Sequence, residues 1–179
     1  LYRTNAQSRA VEEAFLKQGL PYTIVGGVKF YDRKEIKDML AYLRLIQNPA
    51  DSVSFRRIVN VPRRGVGDTS MGYLQTAADQ AGLSLFEMAK RIHTVTTIGA
   101  KAKGALVDLV RLMERLREAA GKDSVADLIT RVMKESGYVA ELEQEGTPEA
   151  QSRVENLQEL LTVAREFITE SDEEDSLEA

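Results

Sequence analysis

The chain has 179 residues, of which 43% are hydrophobic, and its 24 Lys and Arg residues against 28 Asp and Glu residues give a net charge of −4. This is the composition of an ordinary globular protein, and no apolar run approaches the ~18 residues that cross a bilayer, so a disordered, collagen-like or membrane-spanning chain is disfavoured. The lack of cysteine excludes disulfides, cysteine-based zinc sites and a thiol nucleophile, and leaves His93 as the one histidine for any catalytic triad. Because the first residue is Leu1 rather than Met, we expect a piece of a longer chain.

The first elements of the chain predict a short αβ piece. Residues 6–18 place apolar side chains at helical spacing before Gly19, and residues 21–25 have the composition of a strand that ends at Gly26 and Gly27. About 25 residues cannot bury a core alone. This piece should therefore belong to a larger domain.

The remainder predicts about seven amphipathic helices, several with capping signals at their N-termini. The signals are Asp32 with Glu35, Ser84 with Glu87, Ser124 with Asp127, and Thr147 before Pro148. Asp68 is expected to cap a helix that ends at Gly82, and a long helix with one apolar stripe ends at Gly121. The fold class is therefore mainly α, preceded by the αβ piece.

Charge is distributed unevenly along these elements. Residues 1–70 have a net charge of +5, and residues 71–179 have a net charge of −9. We expect an anionic partner such as nucleic acid to bind the basic part. The last ten residues, from Glu170 to Ala179, include six acidic residues and are typical of a solvated linker.

The sharpest local signal for chemistry is the segment from Asn60 to Thr69, NVPRRGVGDT. Gly65 and Gly67 flank Val66 and allow a tight turn with positive φ, in which backbone N–H groups can approach a phosphate. The helix that begins next to this turn points its positive end the same way.

Polar side chains around the turn add to this signal. Arg63 and Arg64 supply positive charge, and Thr69 supplies a hydroxyl donor. The pattern is similar to a helix-hairpin-helix element that contacts the duplex backbone without reading base sequence. The alternative is a plain turn between two helices with incidental arginines.

Two further segments are weaker candidates. Arg3 could neutralise a phosphate, and Asn5 could donate to a phosphate or a base, although an N-cap of the following helix is the commoner role for Asn5. Aromatic and basic side chains at 29–33 suit stacking on a single strand, but Phe30 and Tyr31 more often pack into a core. We expect His93 to be exposed and without a catalytic role.

No G-x-x-x-x-G-K-[ST] phosphate loop occurs in the sequence, and the segment around Gly26 and Gly27 does not supply one. We therefore expect that this chain alone does not hydrolyse a nucleotide.

Four ordered segments resemble the UvrD/PcrA/Rep superfamily 1 DNA helicases. They are Tyr2–Arg9, Pro21–Asp38, Leu43–Ile46 with Asn48–Pro49, and Asn60–Gly67. Their shared order and spacing make the resemblance far more specific than any one of them. The family usually has Ile where this chain has Val66, a difference that should leave the turn intact.

The resemblance implies a division of the chain. Residues 1–25 would belong to the RecA-like P-loop motor domain 2A, residues 26–170 would form the helical 2B domain, and residues 171–179 would be an acidic linker. Gly26 and Gly27 would lie at the hinge between the two domains.

The resemblance also implies site residues. Contacts with single-stranded DNA fall on Arg3, Thr4 and Asn5. Contacts with duplex DNA fall on the hairpin, at Arg63, Arg64, Gly65, Val66, Gly67 and Thr69.

The function implied by the resemblance is that of an ATP-dependent 3′→5′ DNA helicase, which translocates on single strands and unwinds duplex DNA in replication and repair. The implied location is the bacterial cytoplasm, at the nucleoid. ATP and Mg²⁺ would be held by other segments of the parent enzyme, so neither catalytic residues nor metal ligands are expected here. The expected partners are tailed duplex DNA, single-stranded DNA and the remaining helicase segments, with no membrane.

Three alternatives stay open from the sequence. One is a helicase-nuclease subunit of the same superfamily. The second is a stand-alone helix-hairpin-helix DNA-binding protein. The third is a helical module for protein interaction or regulation, which the acidic residues of the second half favour.

Overall fold

The computed structural model of the chain describes residues 11–12, 14–15, 17–21 and 29–177, with side chains of the last range described as far as residue 166. The chain divides into two compact units, a terminal unit of residues 1–37 and 139–179 and a central unit of residues 38–138. The described residues contain helices and no strand, so the predicted mainly α fold class is confirmed. The predicted strand over residues 21–25 lies outside the described residues except for its first position.

Between residues 29 and 177 the chain forms eight α-helices and two short 3-10 turns, Phe30–Asp32 and Ile92–Thr94. The helices are α1 (Lys34–Gln47), α2 (Ser52–Ile58), α3 (Asp68–Ala81), α4 (Leu85–Lys90), α5 (Ala100–Ala120), α6 (Val125–Glu135), α7 (Tyr138–Glu145) and α8 (Pro148–Leu177).

The central unit has one apolar core shared by its helices. Helix α4 packs against α2, α3 and α5, and α6 packs along α5. Phe55 of α2 and Phe86 of α4 meet edge to face with ring centroids 6.4 Å apart. The predicted apolar stripe of the long helix is buried at Ala102, Leu106, Leu109, Val110, Met113 and Leu116. A single hydrophobic face on each helix therefore explains why these segments fold together.

The terminal unit contains a buried polar network beside its apolar residues. Arg33 donates to Asn156 Oδ1 at 2.7 Å and lies over the ring of Phe30, 5.2 Å from its centroid. Asn156 donates in turn to Glu35 Oε1 at 2.5 Å. These contacts tie α8 to the start of α1, and each of these three polar side chains has a partner of complementary character.

Capping explains where most helices begin. Ser84 and Ser124 accept hydrogen bonds from N–H groups three residues later, at 3.2 Å and 3.1 Å, as predicted. Thr147 does the same for α8, with Ala150 N–H donating at 3.1 Å. The sequence analysis missed Asp51, whose carboxylate accepts from Ser54 N–H at 2.9 Å and begins α2.

Two capping predictions are wrong. Asp32 lies in a 3-10 turn and pairs with Lys37 at 2.8 Å, while Glu35 binds Asn156, so the predicted capping box does not form. Asp68 is the first helical residue of α3 rather than its cap, and the N-cap is Gly67.

The backbone of the acidic end of the chain is helical as far as Leu177. Helix α8 continues from Pro148 to Leu177 and includes most of the acidic run. Helical backbone is compatible with this run because Glu has a high helix propensity.

Candidate nucleic-acid interface

The candidate site is the Gly-Val-Gly loop, residues 59–67, which joins α2 to α3 within the central unit. Both helices are anchored in the core, α2 through Phe55 and Ile58 and α3 through Leu74. Arg56 of α2 also donates to Gln75 Oε1 of α3 at 2.6 Å. The two ends of the loop are therefore held by packed helices.

Asn60 closes the loop on itself. Its Oδ1 accepts hydrogen bonds from the backbone N–H groups of Arg64, at 2.8 Å, and Gly65, at 3.1 Å. Peptide groups in a loop have no helical or strand partners, and a side-chain oxygen that accepts from them fixes the path of the loop. The sequence analysis did not single out this role, although an Asn at the start of a Gly-rich turn is a recognised signal.

Gly65 is required by the backbone conformation. Its φ of +77° lies in the left-handed region, which confirms the predicted positive φ at this position. A Cβ atom added at Gly65 would lie 3.4 Å from Cε and 3.9 Å from Nζ of Lys101. Lys101, in the first turn of α5, is therefore a cation of the loop that the sequence analysis missed, because α5 begins far along the chain.

Gly67 has a different role from Gly65. Its φ of −81° and ψ of 171° are ordinary extended values, so the predicted positive φ is wrong here. Gly67 is the N-cap of α3, which has no side-chain capping hydrogen bond, and apart from its two chain neighbours no residue has an atom within 4 Å of a Cβ added there. The first backbone bond into the helix runs from Met71 N–H to Gly67 carbonyl oxygen at 3.0 Å.

The start of α3 can therefore accept an anion. The N–H groups of Asp68, Thr69 and Ser70 precede the first intrahelical donor, and a helix N-terminus carries partial positive charge. Gly67, Asp68 and Thr69 are exposed, whereas Val66 is buried and holds the loop against the core. The carboxylate of Asp68 stabilises the helix dipole but opposes a nearby phosphate.

The two arginines of the loop are placed differently. Arg63 is exposed. Arg64 is half-buried, and its Nη1 donates to the carbonyl oxygens of Ile58, at 3.0 Å, and Val61, at 2.9 Å. Its Nη2 donates to the Tyr42 hydroxyl at 2.7 Å. The sequence analysis gave both side chains the same role in phosphate binding. In the structure Arg64 is bonded within the loop, whereas Arg63 is exposed.

Charge favours an anionic ligand at this unit. The central unit has 15 Lys and Arg residues against 11 Asp and Glu residues, a net charge of +4, while the terminal unit has a net charge of −8. The loop supplies N–H donors, a hydroxyl and cations, which suit the binding of a phosphate backbone.

The other residues singled out in the sequence lie either outside the described residues or in other segments of the chain. Arg3, Thr4, Asn5, Gly26 and Gly27 lie outside the described residues. Phe30 is buried as expected, whereas Tyr31 is 41% exposed, and His93 is exposed.

The described residues also bear on metal binding and membrane insertion. They contain no group of three or more His, Asp or Glu side chains that could hold a metal ion. None of the described helices combines the length and the apolar character that a bilayer span requires.

Comparison with known proteins gives consistent results. Residues 1–179 match the family described as the UvrD-like helicase C-terminal domain. Similar proteins include three named ATP-dependent DNA helicase PcrA, from Bacillus subtilis (47% identical over 173 residues), Leuconostoc citreum (42% over 167) and Staphylococcus epidermidis (41% over 167).

These matches cover 97%, 93% and 93% of this chain but only 23%, 22% and 23% of the three relatives, so the chain spans less than a quarter of their length. They confirm the resemblance to UvrD/PcrA/Rep helicases that the four sequence segments predicted. The chain belongs to the family of UvrD-like helicase C-terminal domains.

Proposed function

We propose that the chain is a DNA-binding part of an ATP-dependent 3′→5′ DNA helicase, in which the Gly-Val-Gly loop acts as a helix-hairpin-helix element on duplex DNA. The start of α3 carries the proposal. It combines N–H groups without intrahelical acceptors, a capping residue with no side chain, and open space at the Cβ position of Gly67.

The proposed contacts are made with the DNA backbone. A phosphate oxygen accepts from the N–H groups at the start of α3 and from the hydroxyl of Thr69, while Arg63 and Lys101 supply the cations. Such contacts hold the duplex in any base sequence, as a translocating enzyme requires.

The remaining assignments extend the same proposal. Arg3, Thr4 and Asn5 contact the single strand, and Gly26 and Gly27 form a hinge between a motor-domain piece of residues 1–25 and a helical domain of residues 26–170. Translocation on single strands and duplex unwinding, in replication or repair at the bacterial nucleoid, are functions of the parent enzyme.

The binding of ATP and Mg²⁺ is part of the same proposal. The sequence has no phosphate loop of the G-x-x-x-x-G-K-[ST] type, and the described residues contain no cluster of carboxylates suited to a metal. We place nucleotide binding and hydrolysis on other segments of the helicase.

The test is fluorescence anisotropy of a labelled tailed duplex at low salt, titrated with the chain and with Gly67→Asp. Aspartate is a favourable N-cap residue that suits the backbone of Gly67, so α3 should stay folded while the anion site gains a negative charge. The unchanged chain should bind with Kd of ~10⁻⁴ to 10⁻⁶ M. The variant should bind at least about tenfold more weakly, which corresponds to about 1.4 kcal/mol.

The matched control is Arg111→Gln, at an exposed arginine of α5 that pairs only loosely with Asp108, 3.9 Å away. It removes one positive charge elsewhere in the central unit and should change the affinity by less than about twofold. Equal binding by the chain and Gly67→Asp, or no binding by either at low salt, would contradict the proposal and favour a protein-interaction module.

A further inference from the structure

We propose that Arg64 is a positioning residue, which holds the Gly-Val-Gly loop in the shape that presents the start of α3, and that it does not contact DNA itself. This inference rests on the proposed duplex contact, and it changes the role that the sequence predicted for Arg64. It assigns the loop an internal clamp made of the Arg64 guanidinium and the Tyr42 hydroxyl.

The guanidinium lies among oxygen atoms of the chain. Its Nη1 donates to Ile58 and Val61 carbonyl oxygens at 3.0 Å and 2.9 Å, with longer approaches to the carbonyls of Val59, at 3.5 Å, and Pro62, at 3.4 Å. These four carbonyls cover the end of α2 and the first half of the loop.

The second terminal nitrogen of the Arg64 guanidinium connects the loop to helix α1. Nη2 of Arg64 donates to the hydroxyl of Tyr42 at 2.7 Å, and that hydroxyl donates to the Val61 carbonyl oxygen at 2.6 Å. A longer contact of 3.5 Å reaches the Ser136 carbonyl oxygen at the end of α6. Tyr42 is fully buried, so its hydroxyl is a fixed anchor point for the loop.

Arginine is the side chain that this arrangement needs. A planar guanidinium presents five N–H donors in a rigid fork and has no acceptor, which matches a group of carbonyl oxygens around one plane. A lysine ammonium at the same place could reach one or two of these oxygens. The remaining carbonyls and the Tyr42 hydroxyl would then lack their present donor.

The same geometry argues against a phosphate contact by Arg64. To reach a phosphate, the guanidinium would have to leave two carbonyls and the Tyr42 hydroxyl, all within 3.0 Å. Its backbone N–H is also held, by Asn60 Oδ1 at 2.8 Å. Arg64 is therefore bound to the loop through both its side chain and its main chain, whereas its neighbour Arg63 is exposed.

The test compares charge-conserving variants of the chain. Arg64→Lys keeps the positive charge but not the fork, so we expect duplex affinity at low salt to fall about tenfold. Arg63→Lys should cost about twofold at most, because an ammonium also binds phosphate as a point charge. Arg111→Lys, outside the loop, is the control for replacing an arginine.

Amide hydrogen exchange without DNA supplies the second readout. Arg64→Lys should accelerate exchange in residues 58–67 and leave the rates across α5 and α6 unchanged, which separates a local change from global unfolding. Tyr42→Phe removes one hydroxyl from the clamp and keeps the buried ring. It should change exchange and affinity in the same direction by about two- to threefold, and it serves as the test if Arg64→Lys does not fold.

Each result bears on the clamp. Lower affinity with faster loop exchange supports it. Unchanged loop exchange in Arg64→Lys overturns the proposed clamp, whatever the effect on binding. A loss of affinity without faster exchange would mean that the Arg64 guanidinium contacts a phosphate directly. Faster exchange with unchanged affinity would show that the clamp exists but would overturn its proposed role in duplex binding. If the unchanged chain binds no duplex, the proposed function fails, while loop exchange in Arg64→Lys still decides whether the clamp exists.

Discussion

At Gly65 the backbone adopts a conformation that a residue with a Cβ atom reaches only with strain, since its φ is +77°. At Gly67 the backbone is extended, and open space surrounds the position of a Cβ atom. The two glycines of the loop therefore serve different ends. Gly65 is needed for the turn, and we propose that Gly67 is needed for access to the start of α3.

Substitution by alanine should separate these two roles. Gly65→Ala should lower the free energy of unfolding by about 1 kcal/mol because it forces a Cβ atom into the left-handed region. Gly67→Ala should lower it by about 0.5 kcal/mol, because alanine is a poorer N-cap than glycine, and should also weaken duplex binding because its methyl group enters the anion site. Urea denaturation and anisotropy measure the two effects. A Gly67→Ala chain that binds like the unchanged chain would contradict the proposed site.

Residue identity alone predicted part of this loop. The positive φ at Gly65 follows from the turn pattern. The direction of the Arg64 side chain could not be predicted. Tyr42 lies 22 residues away in helix α1, and the path of the turn that positions the carbonyls is not evident from the sequence. Lys101 was missed for the same reason.

At the scale of single elements, helix starts depend on short-range hydrogen bonds. Asp51 begins α2 by accepting from both the hydroxyl, at 2.6 Å, and the N–H group, at 2.9 Å, of Ser54. These bonds, the hydroxyl bond first, hold the pKa of the Asp51 carboxyl below its ordinary value of 3.8. The ionised form is therefore the one that stabilises the helix.

Asp51→Ala should lower the free energy of unfolding by about 1 kcal/mol at neutral pH. Because the folded pKa is depressed, the stabilisation by Asp51 is fully present above 3.8 and is lost as the pH falls through the folded pKa, below that value. The difference between the two chains in urea denaturation should therefore shrink in that acid range. A difference that stays constant with pH would show that the carboxylate charge is not involved.

A second element-scale contact, made by residues 38, 57 and 138 of the central unit, involves a buried carboxylate. Asp38 of α1 is buried and accepts from the Tyr138 hydroxyl at 3.0 Å and from Nε of Arg57 at 2.8 Å. One oxygen of the carboxylate faces each donor. An asparagine at this position would turn an NH₂ group towards one of them.

Asp38→Asn should consequently lower the free energy of unfolding by about 2 kcal/mol, because a buried donor then faces another donor. Asp108→Asn is the matched control, since Asp108 is exposed and its ion pair with Arg111 is long, at 3.9 Å. The control should change stability by less than about 0.5 kcal/mol. Equal effects of the two variants in urea denaturation would contradict a structural role for the buried carboxylate.

Helix positions and most caps could be predicted from the sequence because both depend on residues within one or two turns. The start of α1 could not, since Glu35 bonds to Asn156 of α8 instead of capping its own helix. Local capping rules fail where a partner from a distant segment competes for the same side chain.

At the scale of the whole molecule, charge is divided between the two units. The central unit has a net charge of +4 and the terminal unit has −8. The sequence predicted this asymmetry in part, as a basic first third, but placed its limit at residue 70 because chain order cannot show that residues 1–37 and 139–179 form one unit.

Duplex binding should depend steeply on salt. We propose that two cations, Arg63 and Lys101, contact phosphates. The logarithm of the association constant should therefore fall with the logarithm of the salt concentration with a slope of about −2. Lys101→Gln should reduce this slope by about 0.9, while Lys122→Gln, at an exposed position after α5, should leave it unchanged. Anisotropy titrations at several salt concentrations measure the slope. The same slope in the chain and in Lys101→Gln would remove Lys101 from the interface.

The glycine cap of α3 has an evolutionary consequence. Serine or aspartate at position 67 would suit the backbone and add the capping bond that other helices of this chain have, for a gain of about a few tenths of a kcal/mol over glycine. Selection for heat resistance alone should therefore fix a capping residue there. Because we propose that the start of α3 binds phosphate, we expect selection for DNA binding to keep glycine at position 67.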